Sequence, residues 1–265
     1  MVKRFDGKVA WITGGGSGIG RALAMAVASE GAHVVVSGRR LERLDEVVAE
    51  IRETGGQATA VRCDVTDETS LAEAVAAIVA ERGRLDIAIA NAGFAVSGRV
   101  EKLDAADWRR QFDTNVMGAA LTAKHAIPEL RKTSGRIVLV GSVAGYICAP
   151  GHGAYTASKH AVRAIGETLS AELHGTGVSC TTIHPGYVAS EIAQVDNQGV
   201  FDSSRKDKRP SKLMWPANRA AKVMVRAIAS RRRQFVFTGH GKVGAFIGQH
   251  MPGMAYLMMR QRPSR

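Results

Sequence analysis

VAWITGGGSGIGRALAMAVASEGAHVVVSGRR, residues 9–40, decides how this chain folds. Its first apolar run ends at Thr13 and reads as a buried strand, after which Gly14, Gly18 and Gly20 mark a tight turn. Residues 21–30 carry helical periodicity, Gly31 stops that helix, and residues 33–36 read as a second strand. In a strand–turn–helix–strand unit each glycine has its own task. Gly14 permits the turn, Gly18 lets backbone amides approach a pyrophosphate, and Gly20 allows helix and sheet to pack closely. The helix N-terminus then attracts the anion. For the glycines alone, a tight turn without a ligand is the competing reading.

Outward from this unit, strand-like runs recur at 58–63, 86–91, 136–141, 178–184 and 234–238, separated by helical patterns. With 9–13 and 33–37 they make seven strands. Repeated alternation predicts an α/β fold: a mostly parallel sheet, helices on both faces, right-handed crossovers. Ligands of such sheets bind beyond the carboxyl ends of the strands, where Asp64, Asn91, Ser142 and Pro185-Gly186 fall. No linker or internal repeat divides residues 1–265, so one domain is expected, and 45% hydrophobic residues suffice for its core. No apolar run reaches the length of about 18 residues that a membrane span needs, and MVKRFDGK lacks a signal-peptide core. A cytoplasmic protein is expected. Cys63, Cys148 and Cys180 are odd in number and lack metal-ligand spacing, so they read as free thiols with no metal site.

Tyr155 precedes Lys159 by four residues, which on a helix puts phenol and ammonium on one face. A cation at about 4 Å in an effective dielectric of about 20 favours phenolate by roughly 4 kcal/mol, or about three pKa units. Lys159 is therefore expected to acidify Tyr155 toward neutral pH, where a general acid–base is most useful. An exposed tyrosine beside a solvated lysine is the alternative for the pair in isolation.

TGxxxGxG at residues 13–20, Asn91-Ala92-Gly93, Asn115, Ser142, YxxxK at Tyr155 and Lys159, and Pro185-Gly186 occur in order. This series resembles the classical short-chain dehydrogenase/reductase family over residues 7–190, with a continuation to 239. The resemblance implies a Rossmann-type, doubly wound fold and a nicotinamide cofactor. Ser142 resembles the hydroxyl that polarises the substrate carbonyl, and Tyr155 the acid or base that exchanges a proton with its oxygen. Lys159 resembles the lysine that binds the nicotinamide ribose, and Asn115 the helix asparagine that holds a water in the proton relay. Ser142 as a turn cap and Asn115 as a buried hydrogen-bonding residue are the bland alternatives. The cofactor set carried over in the same way is Thr13, Gly14, Ser17, Gly18, Ile19, Gly20, Asp64, Val65, Asn91, Ala92, Gly93, Tyr155, Lys159, Pro185, Gly186, Val188 and Ser190. Within it Asp64 resembles the aspartate that recognises adenine. Ser190 stands where the family more often has threonine, which keeps a hydroxyl for the carboxamide. The resemblance also implies a homodimer or homotetramer.

At the end of the second strand NAD users commonly carry a carboxylate for the ribose 2′-hydroxyl. Here Gly38 holds that position and Arg39 and Arg40 follow. A guanidinium binds a 2′-phosphate bidentately, so NADP(H) is favoured over NAD(H), with Arg39 the main contact. Arginines that merely start a solvated helix are the alternative.

Charge is distributed unevenly. Residues 201–265 hold 15 Lys and Arg against 2 Asp and Glu, a net of +13; the whole chain is +12, so residues 1–200 sum to −1. An apolar stretch, VGAFIGQHMPGMAYLMM at 243–259, lies in this basic quarter. Residues 240–265 read as a C-terminal extension that contacts an anionic membrane peripherally, packs on another subunit or caps the substrate pocket, while the basic loop at 203–212 alternatively attracts an anionic substrate such as an acyl group on a phosphorylated carrier. The basic runs carry no interleaved aromatic residues, which argues against nucleic acid.

Residues 94–97, 143–148, Tyr187 and a movable lid at 190–215 are expected around the substrate, and their apolar bias suggests a hydrophobic ketone or secondary alcohol. An NADPH-dependent carbonyl reductase is the leading expectation. The alternative is a non-catalytic cofactor-binding regulator, or a membrane-surface interaction protein, on the same fold.

Overall fold

The structure, a computed structural model, describes residues 3–207 and 209–260. Seven strands form one sheet: β1 (Val9–Thr13), β2 (His33–Gly38), β3 (Gln57–Arg62), β4 (Ile87–Ala90), β5 (Arg136–Val140), β6 (Ser179–His184) and β7 (Gln234–Val236). Their order is β3-β2-β1-β4-β5-β6-β7, and all six pairings are parallel. The sheet is thus parallel throughout, more uniform than the sequence predicts. Every residue of β1 and β4 is buried, as expected where helices cover both faces and the apolar runs are continuous.

The period-two alternation of β1 divides the core. Ala10 and Ile12 face α1 (Gly18–Ser29), α2 (Leu41–Glu53) and α7 (Ala217–Ala229), packing with Leu23, Leu44 and Met224. Val9 and Trp11 face the opposite layer, α3 (Glu68–Arg82), α5 (Gly118–Thr133) and α6 (Gly153–Glu172), packing with Leu71, Leu130 and Val162. This is the Rossmann-type, doubly wound arrangement. Because β1 pairs with both β2 and β4, the winding reverses there and leaves a crevice at the carboxyl ends.

Two buried polar contacts fix the centre. Trp11 Nε1 donates to Ser37 Oγ at 2.9 Å, tying β1 to β2. Asp86 Oδ2 accepts from the Val9 amide at 2.9 Å, while Arg84 donates to both carboxylate oxygens at 2.8 and 2.6 Å.

Some boundaries differ from the expected ones. α1 starts at Gly18, ahead of the apolar periodicity at 21–30, because two of its first three residues, Gly18 and Gly20, are glycines that read as part of the turn. β7 ends at Val236 rather than 238, since Thr238 caps α8 (Gly239–His250) by accepting from the Gly241 amide at 3.2 Å. α4 (Ala105–Phe112) runs through a π-helical stretch, Asp113–Met117, into α5. α9 (Pro252–Met259) completes the described chain, and residues 261–265 of the expected extension lie outside the described residues.

Candidate active site

A cleft of about 580 Å³ lies along the carboxyl ends of the central strands. Its floor is the glycine turn. Gly14 has φ +64°, and a Cβ there would stand 2.8 Å from Ala92 Cα, so only glycine fits. A Cβ at Gly20 would overlap the Gly14 carbonyl and the Asn91 amide. Ser17 is the N-cap of α1 but its hydroxyl makes no capping bond, leaving that hydroxyl and the first-turn amides facing the cleft. These features fit a pyrophosphate: a cradle that side chains would fill, donors without partners, and a helix N-terminus.

Asn91 holds this floor in place. Its Nδ2 donates to the carbonyls of Thr13 and Gly14 at 3.0 and 3.1 Å, and its amide to Thr13 Oγ1 at 3.1 Å. The Ala92 amide also donates to Thr13 Oγ1, at 3.2 Å. Asp64 closes one end, with Oδ1 accepting from the amide and hydroxyl of Thr66 at 3.0 and 2.8 Å.

Tyr155 and Lys159 lie on α6, both lining the cleft, with the ammonium 5.8 Å from the phenol ring centre. Ser142, at the end of β5, joins them. Ser142 also caps a short 3₁₀ turn, Oγ accepting from the Ala144 amide at 3.1 Å, so the capping alternative holds alongside its place in the cleft. The His184 ring donates through Nδ1 to the Ser142 carbonyl at 3.3 Å, and burial pulls this imidazole down to about 4, so it is neutral at pH 7.

The expected acidification of Tyr155 by Lys159 is corrected here. Burial is the strongest influence on Tyr155 and pushes its phenol above the usual value; the Ser142 hydroxyl and the Arg209 guanidinium offset this only in part. Lys159 donates its ammonium to the Val140 carbonyl at 2.9 Å, and burial brings it down to about 8. The simple Coulomb reasoning left out desolvation, which opposes a phenolate in an enclosed site.

Asn115 is buried in the π-helical stretch, behind the cleft wall. Its Oδ1 accepts from the Phe94 amide at 3.1 Å, while Nδ2 donates to the Phe94 carbonyl and to Ser158 Oγ at 3.0 and 3.1 Å. Its amide group is therefore committed to protein partners. Thr13 and Val188 are likewise buried, Thr13 acting through the bonds to Asn91 and Ala92. The remaining expected residues line the cleft: Gly14, Ser17, Gly18, Ile19 and Gly20 on the floor; Arg39, Arg40, Asp64 and Val65 at one end; Asn91, Ala92, Gly93, Pro185, Gly186 and Ser190 along the wall.

Arg40 is the N-cap residue of α2 and approaches Glu191 at 3.8 Å, whereas Arg39 lines the cleft. Arg209 is the functional candidate that sequence reading missed. Its guanidinium donates to the Val188 carbonyl at 3.0 Å and the Ser190 carbonyl at 2.9 Å while pairing with Asp207 at 2.7 Å. In sequence it is one cation among several at 203–212 and carries no distinguishing signal.

Ile192, Val195, Val200 and Phe201 supply apolar lining beside Phe94. Their segment is tied across the cleft where Asn197 accepts from the Ser97 amide at 2.9 Å and Arg110 donates to the Asn197 carbonyl at 3.0 Å. Of residues 143–148, expected beside the substrate, none lines the cleft; Val143 and Tyr146 pack against α8, where a Cβ on Gly244 would touch Val143 and one on Gly248 would collide with the Tyr146 carbonyl.

A strand-turn-helix nucleotide cradle and an enclosed Ser–Tyr–Lys group define a class of oxidoreductase. Residues 8–200 match the family model described as short chain dehydrogenase, and the chain belongs to that family. Among its relatives, a 3beta-hydroxysteroid dehydrogenase of Mediterraneibacter gnavus is 38% identical over 186 residues, covering 70% of this chain and 67% of that protein. A cyclopentanol dehydrogenase of Comamonas sp. is 37% identical over 192 residues, 72% of this chain and 77% of the relative. A short chain dehydrogenase/reductase of Burkholderia phymatum, solved in complex with NAD, superposes with a TM-score of 0.84 at 29% identity, covering 99% of this chain and 98% of the other.

Proposed function

We propose that this chain is an NADPH-dependent carbonyl reductase that interconverts a hydrophobic ketone and a secondary alcohol. The carrying observation is that Ser142, Tyr155 and Lys159 stand in one cleft with the glycine cradle of the βαβ unit. The cradle, the Ser17 hydroxyl and Asp64 hold the nucleotide, whose nicotinamide supplies the hydride to the carbonyl carbon when bound. Ser142 orients and polarises the carbonyl oxygen, and Tyr155 Oη gives it a proton; in oxidation the same atom takes the proton back. Burial keeps Tyr155 protonated at neutral pH, which suits reduction. Lys159 remains largely protonated below its pKa of about 8 and binds the ribose hydroxyls. Since Asn115's side-chain amide is engaged by Phe94 and Ser158, any water it relays is held by its main chain, which lies in the π-helical stretch.

Arg39 in the cleft and Gly38 in place of a carboxylate support NADP(H); the NAD-bound relative keeps NAD(H) as the alternative. Phe94, Ile192, Val195 and Phe201 support an apolar substrate, and the hydroxysteroid and cyclopentanol dehydrogenases among the relatives are consistent with a secondary alcohol or its ketone. In this reading residues 190–215 act as the lid of a single catalytic domain, which works as a cytoplasmic homodimer or homotetramer. Absorbance assays of hydrophobic ketones with NADPH test the proposal. Tyr155→Phe is expected to lower turnover about 10³-fold while nucleotide binding persists. Undiminished turnover by that variant would refute the assigned chemistry.

A further inference from the structure

Seven of the thirteen large apolar side chains exposed among the described residues lie between positions 243 and 258, on α8, α9 and their junction. Phe246, Tyr256, Leu257 and Met258 are 60%, 68%, 58% and 58% exposed. α9, PGMAYLMM, has no polar side chain apart from the Tyr256 hydroxyl, and apolar residues surround its axis. A helix apolar on every side is stable when an apolar medium encloses it, yet this chain only half-buries Ala255 and Met259. Something else covers α9.

Charge selects the cover. Residues 208–265 contain 13 Lys and Arg and no Asp or Glu. Lys242 on α8 and Arg260 just past α9 are exposed beside the apolar side chains. A second copy facing this surface would oppose cations with cations. An anionic bilayer provides both an apolar medium and the opposing charge. Among the described residues no helix is long and apolar enough to cross a membrane, so the element would lie in the interface.

We propose that α8 and α9 form a docking platform that inserts the apolar side chains of α9 into the interface of an anionic bilayer, with Lys242 and Arg260 at the head groups. The platform adjoins the cleft. His240 of α8 accepts from the Tyr187 amide at 3.0 Å, and a Cβ on Gly186, which lines the cleft, would collide with His240. Docking therefore sets the cleft wall beside the membrane surface. Resting on the hydrophobic-ketone reading, this also identifies the substrate as one that partitions into the bilayer.

Sedimentation of the full chain with phosphatidylcholine vesicles containing about one third phosphatidylglycerol tests the platform, with pure phosphatidylcholine vesicles as control. Binding is expected with the anionic vesicles at low ionic strength, falling as salt rises. L257E/M258E should bind at least about tenfold more weakly while retaining nucleotide binding and its KM for a water-soluble cyclic ketone. For a long-chain ketone carried in the anionic vesicles, the variant's KM should rise. The proposal is overturned if the wild type ignores anionic vesicles, or if the variant binds them equally well. It is also overturned if light scattering shows the variant losing subunits, because the surface is then a subunit interface. If the wild type reduces no ketone, the carbonyl-reductase reading and the substrate claim fail, and sedimentation alone decides the platform.

Discussion

Tyr155, Arg209 and Arg39 show how single side chains acquire roles from their surroundings. Burial raises the Tyr155 phenol, and Arg209 is one of two groups that oppose this, from a segment 54 positions away in the chain. Because Arg209 spends its donors on Val188, Ser190 and Asp207, the loop that carries it is clasped to the cleft wall, where the proposed reading puts the nicotinamide. At the end of the cleft that the proposed reading gives to the adenosine, Arg39 lines the wall and Gly38 stands where NAD users commonly carry a carboxylate. A bidentate guanidinium–phosphate contact contributes roughly 1.5–3 kcal/mol, or about ten- to a hundredfold in affinity. Arg39→Ala is accordingly expected to raise the KM for NADPH by that factor and leave the KM for NADH nearly unchanged. Equal effects on the two cofactors, measured in initial-rate assays, would disprove the 2′-phosphate contact.

The elements that build the site were legible where the signal is local. The β1–α1 turn announces itself through glycines whose steric need the structure bears out, since Gly14 adopts positive φ and Gly20 abuts the Gly14 carbonyl. All seven strands lie within two residues of their predicted limits because parallel strands buried on both faces are written as uninterrupted apolar runs. The engagement of Asn115 was not legible, for its side-chain amide bonds to Phe94 and Ser158, 21 and 43 positions away. Asp86 is another long-range element. Burial alone would raise its carboxyl, but the Arg84 hydrogen bond, the Val9 amide and nearby cations outweigh that and hold it below 3.8. A carboxylate with a depressed folded pKa stabilises the fold at pH values above its unfolded pKa. That contribution disappears as pH falls through the folded value. Asp86→Asn is therefore expected to cost about 2–4 kcal/mol at pH 7. The difference from wild type in urea unfolding should shrink below about pH 4. A difference that stays constant with pH would show that the ion pair contributes nothing.

For the whole molecule, one continuous sheet joins the β1–β3 half to the β4–β7 half, and the cleft straddles their junction. A nucleotide bound there bridges both halves, so in the proposed reading it stabilises the entire domain. At about 100 times its Kd a ligand adds about 2.7 kcal/mol, which for a domain of this size raises Tm by roughly 5–10 °C. A single unfolding transition is expected in calorimetry, shifted upward by NADPH and less by an equal concentration of NADH. Two separable transitions, or no shift with either nucleotide, would contradict the single nucleotide-binding domain. The basic C-terminal quarter lies beyond the family match, which ends at residue 200, and it holds the apolar helices assigned to the membrane interface.

By itself the sequence determined the strand–helix alternation, the glycine turn and the placing of Tyr155 and Lys159 on one helix face, while Ser142 joined them only through the family resemblance. The first three depend on near-neighbour spacing and on apolar patterning that the chain carries in linear form. Only the tertiary structure decided the protonation balance of Tyr155, the engagement of Asn115, the arrival of Arg209 at the cleft and the exposure of α9. Those are set by desolvation and by groups brought together from distant positions, and burial is a property of the packed molecule rather than of any one segment.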